Sequence, residues 1–157
     1  MSGVWIPTLL SAMLALLLLR GAATDLRSRI ISNKLNLAIA VLAPFWWWAN
    51  GLSFYPDILI QLAIAAGVFA IFTLLFALGM MGGGDVKMLG AIALWMPLQA
   101  MSTLIVVMAL VGGVVTAATV IHHRMTRRIG QPQIPYGVAI ALGGLWVLGE
   151  RYFNPLA

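Results

Sequence analysis

Four acidic side chains stand in this 157-residue chain: Asp25, Asp57, Asp85 and Glu150. There are 0 cysteines, which excludes a disulfide framework, a thiolate metal site and a thiol nucleophile. Asp25 follows an uncharged run that ends at Leu19 by only a few residues. Asp85 closes the run Gly82-Gly83-Gly84-Asp85 after another long apolar stretch. A carboxylate in or beside a membrane-spanning helix is costly and is a functional hypothesis by default. Two carboxyls held close together cannot both ionise, so they share one proton. Such a pair can hydrolyse a peptide bond. The ionised member takes a proton from water, and that water attacks the scissile carbonyl. The protonated member donates a hydrogen bond to the carbonyl oxygen. The protonation states belong to the pair, so neither aspartate is assigned as base or acid alone.

Gly82, Gly83 and Gly84 suit this chemistry. A substrate backbone has to approach the carboxylate closely, and glycine has no side chain to block it. Non-helical backbone at membrane depth is also tolerated where it lines a polar cavity. The plainer reading is a flexible turn between two spans, with Asp85 favourably placed at a helix N-terminus. Composition leaves both readings open.

The elements that position these groups have to be membrane helices. The chain is 62% hydrophobic and 8% charged, with a mean hydropathy of +1.03. A soluble domain carries about 25% charged residues. The surrounding solvent is therefore lipid, and the bilayer is the first expected partner. The charges divide one domain, 1–157, into apolar segments. The first ends at Leu19. Its basic residues follow it rather than precede it, which reads as a retained helix and not a cleaved signal. Further segments cover 35–56, 58–78 and 136–148. The uncharged stretch 88–121 would be roughly 50 Å long as a single helix, against a hydrocarbon core of about 30 Å. Pro97 offers a break, giving a short helix from near Gly84 and another over 99–121.

The expected fold is thus all-α and polytopic, with about six transmembrane helices. Charge placement supports that number. With six spans, Arg20, Arg27, Arg29, Lys34, Lys87, Arg124, Arg127 and Arg128 share one side, and only Arg151 lies on the other. The positive-inside rule then puts both termini outside the cytoplasm. Asp25 and Asp85 face the cytoplasmic side together, while Asp57 and Glu150 face away. The net charge of +5 is explained by topology, so no nucleic-acid partner is expected. Trp46-Trp47-Trp48 reads as an anchor at the outer membrane interface.

These residues resemble a known family. Gly82-x-Gly84-Asp85 followed by Val86-Lys87 is similar to the GxGD signature of type IV prepilin peptidases. The stretch from Asp25 through Arg27 and Arg29 to Ser32-Asn33 looks like their first aspartate motif, with Ser32 where proline is common. Pro135-Tyr136-Gly137 resembles a third block. The closest likeness is to the short peptidases of tight-adherence systems, of the CpaA or TadV kind. The resemblance implies an aspartic endopeptidase of the bacterial inner membrane, with Asp25 and Asp85 as catalytic pair. It implies a prepilin precursor as substrate, cut at the cytoplasmic face, and pilus-assembly machinery as a further partner. It implies neither a cofactor nor a metal. Larger members carry paired cysteines and also N-methylate the new terminus. This chain has no cysteine, so the likeness does not extend to methyl transfer.

Other residues carry weaker expectations. Lys87 holds the aspartate region or meets substrate, although a topology signal accounts for it more simply. Asn33 is expected to cap the second helix. His122 and His123 have no nearby carboxylate and make poor metal ligands. Two other function classes compete with the peptidase. A transporter or proton relay would use the same aspartates, but no inverted repeat is visible. A non-catalytic scaffold of a pilus or secretion apparatus would be marked by loss of an aspartate, and both are present.

Overall fold

The computed structural model describes residues 5–126 and 134–153, so Arg127 and Arg128 lie outside the described residues. Within them the chain is helical throughout: α1 (Trp5–Ser28), α2 (Asn33–Ala49), α3 (Leu59–Ala77), α4 (Gly83–Ala93), α5 (Leu98–Met125) and α6 (Tyr136–Phe153). A single wide turn, Phe54–Ile58, leads into α3. Three stretches are long and apolar enough to cross a membrane: Trp5–Ser28, Phe54–Ala77 and Leu98–Met125.

The breaks fall where local chemistry puts them. Pro97 stands at the N-cap of α5 with extended backbone, φ −62° and ψ 164°, and so separates α5 from α4. Ser32 caps α2, its Oγ accepting from the Leu35 amide at 3.2 Å. The expectation that Asn33 caps this helix is therefore corrected: Asn33 is its first residue. Ser32 takes the cap because its hydroxyl is one bond from Cβ and its backbone is extended, φ −70° and ψ 143°. The first helix also runs further than its apolar segment. It continues past Arg20 and ends only at Arg29, which adopts left-handed backbone, φ 56°. The Arg29 amide closes the last turn on the Asp25 carbonyl at 2.9 Å.

The short helix α4 is the centre of the fold. It packs against α2, α3 and α6, while α1 bridges α2 and α6, and α5 lies along α6. Val86, Met88, Leu89, Ala91, Ile92 and Ala93 of α4 are all buried. At 1.5 Å per residue its 11 residues reach only about 16 Å, half of a hydrocarbon core. A helix that stops short inside an apolar medium leaves its last carbonyls without partners. Neighbouring side chains supply them. Gln61 of α3 donates from Nε2 to the carbonyls of Ala93 and, at 2.6 Å, Met96. Trp47 of α2 donates from Nε1 to the Leu94 carbonyl at 2.7 Å. Trp95 returns a bond to the Ile39 carbonyl of α2 at 2.9 Å.

This clasp corrects the reading of the tryptophan triplet. Trp46 and Trp47 are 6% and 8% exposed, and only Trp48, at 74%, is free to act as an interfacial anchor. Gln61→Leu should strip two carbonyls of their donor, costing about 1–3 kcal/mol for each acceptor left bare. The expected result is a lower melting temperature in detergent. An unchanged melt would show that the clasp contributes nothing to stability.

Candidate active site

Asp25 sits in the last turn of α1 and is buried. Its carboxyl rests against the first turn of α6. A Cβ placed on Gly137 would lie 2.9 Å from Asp25 Oδ2 and 2.6 Å from Ile31 Cδ1, so only glycine admits this approach. The amides of Gly137 and Val138 act on the carboxyl electrostatically from the positive end of α6. None of them closes a hydrogen bond on Oδ2, which is buried without a partner among the described residues. A buried acceptor left open in this way is uncommon and calls for a functional explanation.

Asp85 is the third residue of α4, after the N-cap Gly82. Its carboxylate folds back over its own helix start toward the Gly82 amide, in the manner of a capping box. A Cβ on Gly82 would meet Oδ2 at 2.9 Å. The turn before it contains Gly79 at φ 72°, a conformation that glycine adopts without strain.

The three glycines ahead of Asp85 thus have separate structural duties. Gly82 makes room for the carboxylate that caps the helix. Gly83 faces the Phe76 ring, where a Cβ would make an ordinary contact at 3.4 Å. Gly84 lets α4 press against the α1–α2 connection: a Cβ there would stand 3.2 Å from both Cβ and the carbonyl oxygen of Ile31. Its own carbonyl accepts from Asn36 Nδ2 at 3.0 Å. Gly84 therefore serves helix packing in this structure, beside whatever access it gives a substrate.

Asp25 and Asp85 line one cavity of about 600 Å³, together with Arg29, Ile31, the turn 79–81 and Tyr136. Asp57 lines a different cavity with Glu150. The four carboxylates thus fall into two pairs at opposite ends of α3, α4 and α6.

The remaining sequence candidates surround the first pair without entering its cavity. Lys87 Nζ donates to Asn33 Oδ1 at 2.9 Å on the exposed surface, tying α4 to the start of α2. Pro135 is buried just before α6. Gly137 stands behind Asp25. Asn36 was not among the candidates, although an amide set among the apolar residues of α2 is a signal in itself. It is buried, it holds Gly84, and its Oδ1 has no partner among the described residues. Among the described residues no three His, Cys, Asp or Glu side chains gather as a metal site.

Chemically, the cavity is lined by two carboxyl-bearing residues, Asp25 and Asp85, and by Arg29. That set can activate a water and polarise a carbonyl. No curated protein and no solved structure matches this chain. The model of the type IV leader peptidase family matches residues 12–117, one continuous stretch from within α1 to within α5. By that match over most of its length, with Asp25 and Asp85 both inside it, the chain belongs to the type IV leader peptidase family.

Proposed function

We propose that this protein is an intramembrane aspartic endopeptidase that removes the leader of Flp-type prepilins through an Asp25–Asp85 dyad. One observation carries the reading: the two aspartates, 60 positions apart in sequence on α1 and α4, line the same cavity. The family match supports a peptidase acting on prepilins. The pair shares a proton, one carboxylate activating water and the other donating to the scissile carbonyl. All six helices lie in the inner membrane of the bacterium, with α4 shielded from lipid by its neighbours and both termini outside the cytoplasm. The cavity then opens at the cytoplasmic face, where basic residues gather. Tight-adherence pilus machinery is the expected setting.

Co-expression with candidate Flp-type precursors tests this. A shift of the precursor on a gel, with the new N-terminus read by sequencing, is the expected result. A well-inserted protein that leaves every candidate precursor intact would count against the assignment. Chelation gives a second check. Peptide cleavage in membranes should be unchanged by EDTA, because two carboxyls suffice for the chemistry. Activity lost in EDTA and restored by a divalent ion would point to a different mechanism.

A further inference from the structure

Asp85 is carried by the first turn of α4, and that turn is fastened to the start of α2 at two points. Asn36 Nδ2 donates to the Gly84 carbonyl at 3.0 Å, and Lys87 Nζ donates to Asn33 Oδ1 at 2.9 Å. Asn33 and Asn36 are three residues apart, as are Gly84 and Lys87, so each helix turns one face to the other. Asp85 falls between the two fastenings in sequence. The Lys87 link is on the exposed surface, where a long side chain is free to rearrange. Asn36 is 5% exposed and has no such freedom.

Ile31, which is buried, completes the frame. A Cβ on Gly84 would stand 3.2 Å from its Cβ and its carbonyl oxygen, and a Cβ on Gly137 would stand 2.6 Å from its Cδ1. Asp25 is seated at that same Gly137. The turn that carries Asp85 and the seat that holds Asp25 are thus both set against one side chain, and Asn36 holds Gly84 to it.

Stability gives a poor account of this amide. Gly84 belongs to α4, so its carbonyl is already an acceptor in the helix ladder. The bond from Asn36 is a second one to that oxygen. The other end of the amide, Oδ1, is buried without a partner among the described residues. A bare buried acceptor costs more than one ordinary hydrogen bond returns. An apolar side chain of similar size would serve packing at least as well. Gln61 is the contrast: it serves two carbonyls at the far end of α4, and among the described residues it leaves no buried atom bare.

We infer that Asn36 is a positioning residue, which fixes the turn carrying Asp85 relative to Asp25 and acts through Asp85 without touching substrate. It does not line the cavity that the aspartates share. The inference rests on the proposed peptidase activity. Asn36→Leu tests it, with Asn36→Met beside it because an unbranched side chain adapts to gaps that a branched one does not fit. Both remove the amide and keep the site apolar. Each purified variant is given a precursor that the wild type processes, and kcat, KM and Tm in detergent are read. The expected result is a kcat lower by about tenfold or more, a KM within about twofold, and a Tm equal to or above that of the wild type.

Wild-type kcat in both variants would overturn the inference. So would a raised KM at unchanged kcat, which would put Asn36 in substrate binding. A Tm that falls in both variants along with cleavage would overturn it too, by making the amide a structural residue. Each of these outcomes leaves the peptidase reading standing, since the wild type cuts. A wild type that processes no precursor removes that reading and the role of Asn36 with it.

Discussion

Asp25→Asn and Asp85→Asn are each expected to abolish leader cleavage while leaving the protein folded in the membrane. Asparagine keeps the shape of the carboxylate but cannot take or give the proton the reaction moves. Positioned general acid–base groups contribute about 10²–10⁴-fold, and the two roles are coupled here, so either change should reduce cleavage to background. The fold should tolerate both. Asp25 Oδ2 makes no hydrogen bond among the described residues, so the amide breaks none there. At position 85 an amide oxygen can still face the Gly82 amide, with loss of about 0.3–1 kcal/mol of charge–dipole attraction. The measurement is precursor processing on a gel beside a melting curve of each purified variant. Cleavage retained by either variant would falsify the dyad; loss of cleavage with a collapsed melt would point to folding instead.

Gly137→Ala should separate activity from stability in a way that few substitutions can. The added methyl would stand 2.9 Å from Asp25 Oδ2 and 2.6 Å from Ile31 Cδ1. Both atoms end side chains that can turn away, so the backbone need not move. Asp25 does have to leave its place. A misplacement of about 1 Å in a reacting group can cost about 10²-fold, and that is the expected loss. Stability has two opposing contributions. Alanine improves helix propensity by about 0.8–1 kcal/mol, and crowding costs about 1–3 kcal/mol. The net change should lie between about zero and about 2 kcal/mol of destabilisation, at most a few degrees in Tm. A kcat reduced about 10²-fold with little change in Tm is the anticipated pair of readings. Full activity would show that the Asp25 carboxyl does not depend on its seat against α6.

Much of this architecture is legible from local pattern. The apolar segments mark the helices because lipid leaves a chain few alternatives to helix. Pro97 marks the break between α4 and α5 because it removes a helix hydrogen bond. The end of α1 was less visible, because the charged stretch from Arg20 to Arg29 looks like loop. It is helical through Ser28, and its final turn buries Asp25 against α6. The duties of Gly82, Gly84 and Gly137 were also hidden. Each depends on an atom brought near by the fold: the carboxylate of Asp85, the backbone of Ile31 and the carboxyl of Asp25. The bonds from Asn36 to Gly84, Trp47 to Leu94 and Gln61 to Met96 likewise join positions 48, 47 and 35 apart. No periodicity reports such contacts. What the pattern did offer was the anomaly of Asn36 and Gln61, polar amides set among apolar residues.

The clasp around α4 also constrains how the protein is made. An element of 11 residues is too short to be held by lipid as a separate hydrophobic span. Among the described residues, the side-chain donors to its terminal carbonyls lie on α2 and α3, which leave the ribosome first. Asp85, the carboxyl on α4 in the proposed pair, therefore takes its place against segments made before it. Quality control at insertion and competence for cleavage then depend on the same few bonds. A chain that failed to clasp α4 would be both mis-threaded and inert, so an unassembled peptidase would not cut its surroundings.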